Sequence, residues 1–377
     1  MLPYFRSQFG NPSSFHAIGR QAAHAVEESR THIAAAIGSL PDEVYFTSGA
    51  TESNNMVLLG LADRPADRKK IVLSSIEHKS VLEPCMRLAE RGFDVVQIPV
   101  TSAGVVDLRA AERVIDTSTL LVSVHGANNE IGTLQPIRSI ADLAHSRGAL
   151  LHCDASQMLG KVPVSVEDLA VDFASFSAHK VYGPKGMGLL YMRRGVSQSV
   201  IEPLFLGGGQ QDEVRPGTLN VPGIVGLGEA CRIAMSSLEE EMSRIRRLRD
   251  ILEDRLVDSN ADVMFAAAGA ANIPGTLSVC FTGVPADALI AHAQYVCVGT
   301  GSACTSGALS PSHVHLACGF SREIARCFIR ISLGRYTTEE EVVFAASALS
   351  QSARAIKRFE PAKVRAAVLG GGRDEGR

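Results

Sequence analysis

Short apolar runs alternate with longer amphipathic ones through the first half of this chain, and that alternation constrains the fold more than any other feature. The runs are Val44–Thr47, Lys70–Ser75, Val95–Val100, Thr119–Val124, Ala149–Cys153 and Val171–Phe176. Strands separated by helical stretches cannot close as hairpins. They predict a mainly parallel, doubly wound α/β sheet with helices on both faces. The length of 377 residues exceeds what one hydrophobic core usually organises, so two domains are expected. A long charged amphipathic stretch, Ser236–Val257, marks the passage to a smaller α+β part in which Thr276–Phe281 and Phe328–Leu333 read as strands. We place the large domain at residues 1–236 and the small one at 237–377, with a Gly-rich polar tail at Leu369–Arg377 that is too polar to pack.

Parallel strands deliver their C-terminal ends to one edge of the sheet, and ligands bind along that edge. Two of the runs lead directly into chemistry. Asp154-Ala155-Ser156-Gln157 follows one, and Ser177-Ala178-His179-Lys180 follows the other. A lysine that forms a Schiff base with an aldehyde cofactor, beside a carboxylate that keeps a pyridine nitrogen protonated, is the pair pyridoxal phosphate requires. Standing alone, Lys180 would read as a surface lysine. Tyr182-Gly183-Pro184-Lys185-Gly186 after it makes a tight turn that fixes its direction. Phe46-Thr47-Ser48-Gly49-Ala50-Thr51-Glu52 reads as strand, small-residue turn and helix start, which suits a phosphate, although a plain capped turn explains it too. His78 could stack on a pyridine ring or be an ordinary loop residue. Asn128-Asn129-Glu130 offers amide donors to a ring hydroxyl or a carboxylate.

Of eight cysteines, Cys304 alone lies in a stretch of small residues, Gly299-Thr300-Gly301-Ser302-Ala303-Cys304-Thr305-Ser306-Gly307. A thiol there is expected to be exposed and nucleophilic; a surface thiol without a role is the alternative. The other seven sit among apolar neighbours and are expected to be small buried hydrophobes. Arg330, flanked by β-branched residues in a strand, suits a carboxylate clamp or a structural ion pair. The net charge of −3 argues against direct nucleic-acid binding. No run approaches membrane-span length, and no signal-peptide layout opens the sequence. Cysteines without Cys-x-x-Cys spacing read as reduced thiols, so the expected compartment is the cytoplasm.

Together these motifs resemble the pyridoxal phosphate-dependent cysteine desulfurases of the class-V aminotransferase family, those of iron–sulfur cluster assembly and nitrogen fixation. The likeness runs from Gly10-Asn11-Pro12-Ser13-Ser14 to Arg335-Tyr336-Thr337-Thr338-Glu339-Glu340-Glu341. Its most specific parts are Ser-Ala-His-Lys180 and Gly-Ser-Ala-Cys304-Thr-Ser. The resemblance implies a fold-type I transferase, with a mainly parallel seven-stranded sheet in the large domain and a smaller α+β C-terminal domain. It further implies that Lys180 carries the cofactor, Asp154 pairs with the ring nitrogen, His78 stacks on the ring and Gln157 bonds the phenolate oxygen. Ala50, Thr51, Ser177 and His179 would hold the phosphate. Thr218 would reach the phosphate of a partner subunit, hence a homodimer. Asn129 and Arg330 would fix the carboxylate of L-cysteine, with Lys180 or His78 as base. Cys304 would take the sulfur as a persulfide and leave alanine. The implied acceptor is a protein such as an iron–sulfur scaffold. Members of the family usually carry a further segment, with an Asp-x-x-Ala-Thr-Thr-like motif, before the helix matching Met1–Phe5. Its absence from this sequence motivates one alternative, a catalytically impaired scaffold subunit. Arg215-Pro216-Gly217-Thr218 resembles the selenocysteine lyase variant and motivates another.

Overall fold

The structure, a computed structural model, describes residues 1–63, 68–196, 201–259, 262–300 and 311–359. Seven strands form the sheet of the first unit: β1 (Val44–Thr47), β2 (Lys70–Ser74), β3 (Asp94–Ile98), β4 (Thr119–Ser123), β5 (Leu150–Asp154), β6 (Phe173–Ser177) and β7 (Gly188–Met192). Their spatial order is β1-β7-β6-β5-β4-β2-β3. Strands β2 to β6 pair in parallel, whereas β7 is antiparallel to both β6 and β1. Two reversals restore direction, so β1 runs with the parallel set. Six strands therefore end on one edge, which makes that edge the place to look for a ligand. Every residue of β1, β6 and β7 is buried, as expected for strands covered on both faces by helices.

Strand β7 is absent from the sequence reading. Its apolar run, Leu189-Leu190-Tyr191-Met192, follows the Gly183–Gly186 turn too closely for a crossover helix, and a turn this short returns the chain antiparallel. Gly188 opens it because a Cβ there would lie 2.5 Å from the Gly49 Cα and 2.5 Å from the Phe176 carbonyl oxygen. The backbones of β7, β6 and the turn after β1 meet without room for a side chain. The observed strand bounds also differ slightly from those expected: Asp154 is the last residue of β5 rather than the residue after it.

The second unit comprises 100–105, 129–133 and the chain from Glu240 onward. Its sheet has the order β10-β11-β9-β8, with β8 Val263–Phe265, β9 Thr276–Phe281, β10 Gly299–Thr300 and β11 Phe328–Ser332. Helix Leu238–Asp258 buries Leu248, Leu252 and Leu256, spaced by four, in a core with Val279, Phe281, Ile329 and Leu349. One cysteine departs from expectation. Cys297 is exposed, because the extended segment around it turns Val296 and Val298 inward and the residue between them outward. No helix among the described residues is long and apolar enough to cross a membrane.

Candidate active site

Asp154 ends β5 as a buried carboxylate. Its Oδ1 accepts the Ser156 N–H at 3.1 Å and the Ser156 hydroxyl at 2.6 Å, while Oδ2 accepts Asn54 Nδ2 at 2.8 Å. Burial by itself would raise the pKa, but the bonds from Ser156 and Asn54 outweigh it and hold the carboxyl below its ordinary value. His152, two residues earlier on β5, is pushed down to about 4 by burial and so stays neutral. Ser123 Oγ and Ser175 Oγ hold its two ring nitrogens at 2.8 and 3.0 Å. An ionised carboxylate whose side-chain partners among the described residues are all neutral suits a cationic ring nitrogen.

Donor directions propagate outward from this charge. A carboxylate can only accept, so Asn54 must present its amide nitrogen to Asp154. Its second N–H reaches Ser80 Oγ at 2.8 Å. The Ser80 backbone N–H, which can only donate, points at His78 Nδ1 from 3.1 Å, so that nitrogen accepts and the Ser80 hydroxyl, 2.8 Å away, donates to it as well. His78 Nδ1 is thus an acceptor twice over, and the neutral ring carries its proton on Nε2. His78 itself caps helix Lys79–Glu90, four residues beyond the end of β2.

Glu77 is fully buried beside it. Ser74 Oγ donates to Glu77 Oε1 at 2.5 Å and the His125 N–H donates to the same oxygen at 2.9 Å. Burial pushes its carboxyl up to about 8; those two bonds lower it, and the negative charge of Asp154 raises it again.

Lys180 closes a single tight turn, Ala178–Lys180, after β6. The Gly183 N–H returns to the Ala178 carbonyl at 2.8 Å, and Tyr182 adopts a left-handed φ of 64°, so the turn expected after the lysine is present. Ser177 Oγ and His179 Nδ1 are 3.0 Å apart. Burial lowers the His179 pKa, and the positive charges of Lys180, Lys185 and Lys161 lower it further. The positive charges of three lysines thus act on one imidazole. Gln157 accepts a hydrogen bond from Lys161 through Oε1, leaving its amide N–H groups for another partner. Ala50 and Thr51 open helix Ala50–Ala62, and Gly49 before them has φ 155° and ψ 172°, a combination confined to glycine. Thr218 is exposed on the segment after β7.

Asn129 and Arg330 belong to the second unit, where Arg330 Nη1 donates to the Asn129 carbonyl at 2.8 Å. Arg330 Nε is buried and has no hydrogen-bond partner among the described residues. Next to Asn129, burial raises the pKa of Glu130, whose Oε2 accepts the Ser312 hydroxyl at 2.5 Å. Cys304 lies outside the described residues.

Residues 1–343 match the family described as aminotransferase class-V. The cysteine desulfurase IscS of Dictyoglomus turgidum is 40% identical over 366 residues, covering 96% of this chain and 92% of its own. A cysteine desulfurase of Homo sapiens is also 40% identical, over 363 residues that cover 96% of this chain and 79% of that one. Among solved structures, a NifS-like protein superposes with a TM-score of 0.86 at 38% identity, covering 95% of this chain and 94% of its own. SspA in complex with cysteine superposes at 0.77 and 35% identity, covering 89% of this chain and 94% of that one. The chain belongs to the class-V aminotransferase family. Within it, the chain is a pyridoxal phosphate-dependent cysteine desulfurase with the fold-type I architecture.

The desulfurase carries residues around its cofactor edge that its sequence alone did not single out. Asn54 and Ser80 link Asp154 to His78, Glu77 adds a neutral acid, and Glu52 pairs with Arg215 at 2.7 Å. One signal was present in the sequence, and it was position alone: Asn54 follows the Ala50-Thr51 helix start, and Glu77 and Ser80 lie within two residues of His78.

Proposed function

We propose that the desulfurase binds pyridoxal phosphate along the strand-end edge of its first unit and takes sulfur from L-cysteine onto Cys304. The observation that carries this reading is the buried, ionised Asp154 with only neutral side-chain partners, on the same edge as the Lys180 turn. In it, Asp154 faces the ring nitrogen, His78 lies against the ring, and Gln157 donates to the phenolate oxygen. The Ala50 and Thr51 amides, with Ser177 and His179, take the phosphate, and Lys180 holds the cofactor at rest. Bound there, pyridoxal phosphate supplies an aldehyde for the substrate amine and a ring that withdraws electron density from the α-carbon.

The chain's own groups do the rest. Arg330 and Asn129 take the substrate carboxylate; the buried Arg330 Nε, with no partner among the described residues, supports this assignment. We assign the α-proton to the Lys180 amine rather than to His78. A neutral imidazole with its proton on Nε2 could accept another only at Nδ1, which two donors already occupy. The Cys304 thiolate then forms an S–S bond to the substrate sulfur as the substrate C–S bond breaks. The electron pair of that bond stays on the β-carbon, which takes a proton; the α-proton held by the Lys180 amine returns to the α-carbon, and L-alanine leaves. The persulfide on Cys304 passes its outer sulfur to an acceptor protein, and we propose an iron–sulfur scaffold as the acceptor class.

We further propose a homodimer in which Thr218 completes the partner's phosphate site. The exposed Thr218, together with Phe9 (70% exposed), Phe15 (93%) and Leu206 (91%) on the surface of the first unit, supports it. We also propose a reducing compartment, the cytoplasm. The test is Cys304→Ser. After incubation with L-cysteine, mass spectrometry should find an added sulfur on the Cys304 peptide of the wild type and none in the variant, and the variant should produce no alanine. An added sulfur on Cys318 or Cys327, or undiminished alanine production by the variant, overturns the assignment.

A further inference from the structure

The segment between β7 and helix Val221–Ser236 holds three consecutive non-glycine residues in the left-handed region, Gln211 (φ 51°), Asp212 (φ 55°) and Glu213 (φ 65°). Side chains disfavour this conformation, so such a run persists only where surrounding contacts enforce it. Those contacts converge on the turn after β1. The Gln211 amide pairs with the Phe46 backbone like a strand neighbour. Phe46 N–H donates to its Oε1 at 2.6 Å, and its Nε2 donates to the Phe46 carbonyl at 3.0 Å and to the Arg215 carbonyl at 3.2 Å. Arg215 then grips Glu52 with two donors, Nε to Oε1 at 2.7 Å and Nη2 to Oε2 at 3.4 Å. Glu52 Oε2 also accepts the Ser48 N–H at 2.7 Å.

Glu52 sits in the first turn of helix Ala50–Ala62, the helix whose N-terminal amides take the phosphate in the reading above. A carboxylate there meets two opposing demands. It suits the helix dipole and orders the Ser48 turn, yet its charge repels an incoming phosphate. Arg215 resolves the conflict by cancelling the charge while leaving the carboxylate in place. We propose that Arg215 and Gln211 are positioning residues that clamp the Ser48–Thr51 turn to the 210–215 segment and neutralise Glu52, so that the turn accepts a phosphate group.

This inference rests on the phosphate reading of that turn, and the experiment separates the two. The full-length protein, stripped of cofactor, is titrated with pyridoxal 5′-phosphate and with pyridoxal, which lacks the phosphate. The wild type should bind the phosphorylated compound at least about 100-fold more tightly. Equal affinities would overturn the phosphate reading itself. Arg215→Gln should weaken pyridoxal 5′-phosphate by about tenfold or more and change pyridoxal by less than about threefold, because the uncovered Glu52 charge opposes only the phosphate. Adding Glu52→Gln should restore pyridoxal 5′-phosphate to within about threefold of wild type. Gln211→Ala should also weaken the phosphorylated compound selectively. If Arg215→Gln or Gln211→Ala weakens both compounds in parallel, or if the double variant binds no better than Arg215→Gln, the clamp is refuted while the phosphate reading stands.

Discussion

Replacing Glu77 by Gln isolates a single buried proton, and the burial of that carboxyl sets the sign of the effect. The folded carboxyl is pushed up to about 8, mainly by burial, whereas an unfolded glutamate titrates near about 4.3. A folded value above the unfolded one means that the stability contributed by the protonated group is fully present below about pH 4.3. It is lost as pH rises toward the folded value. The slope is about 1.4 kcal/mol per pH unit, which integrates to about 5 kcal/mol across the window. Gln mimics the neutral acid: Oε1, which accepts from Ser74 and His125, becomes the amide oxygen, and the amide nitrogen replaces the hydroxyl. The variant therefore loses this pH dependence while keeping the shape. Urea unfolding of both proteins at pH 5.5, 6.5 and 7.5 measures it, because titrating groups that do not sense Glu77 cancel in the difference. From the lowest to the highest pH, wild-type stability should fall relative to Glu77→Gln by about 2–3 kcal/mol. A difference that does not change with pH would show that Glu77 is ionised throughout, and the account of this corner of the site would be wrong.

Two further outcomes follow from the same geometry. Asn54→Leu removes one charge-assisted bond to Asp154, worth about 1.5–3 kcal/mol. The Asp154 value is depressed in the folded state, so its contribution exists above the unfolded carboxylate value and disappears as pH falls through the folded one. The acid-unfolding midpoint should therefore move to higher pH in Asn54→Leu, and an unchanged midpoint would refute the support role. For Lys180, borohydride treatment of the yellow holoenzyme should fix the cofactor to the peptide containing that residue; label on Lys185 instead would reject the lysine assignment.

The sheet was legible because its parallel strands are short, mostly apolar runs separated by helical stretches, and Asp154 and Ser177–Lys180 could be placed near one edge from strand ends alone. Strand β7 was not legible. Its run follows a turn rather than a helix, and only the close approach of Gly188 to Gly49 and Phe176 reveals where it goes. The supporting residues were hidden for a different reason. Asn54 and Ser80 matter through bonds to residues 100 and 2 positions away in sequence, and the longer of these spacings has no period that a sequence reveals. Glu52 carried a partial signal by its place at a helix start, but its partner Arg215, 163 residues on, required the fold. Cys297 was misjudged because neighbour composition does not distinguish the inward from the outward residues of an extended segment.

Glu77 and Asp154 are chemically similar groups, both buried, each sensing the other's charge, yet their environments drive them to opposite states. Donor placement decides which is ionised. Asp154 has donors on both oxygens, two on Oδ1 and one on Oδ2, so neither oxygen is left to hold a proton cheaply. The hydrogen bonds described for Glu77 both arrive on Oε1, one of them from a backbone N–H that can only donate. That makes Oε1 the carbonyl oxygen and leaves Oε2 to carry the proton. Once Asp154 is ionised, its charge raises Glu77 further, and the two states reinforce each other. In the proposed site the consequence reaches function, because one negative charge rather than two would then be offered to the ring nitrogen of the cofactor. A second carboxylate would add an unneutralised charge to a buried site, which costs several kcal/mol. Placing a proton on Glu77 avoids that cost and, in the proposed site, leaves Asp154 as the anion of this pair that would keep the pyridinium protonated.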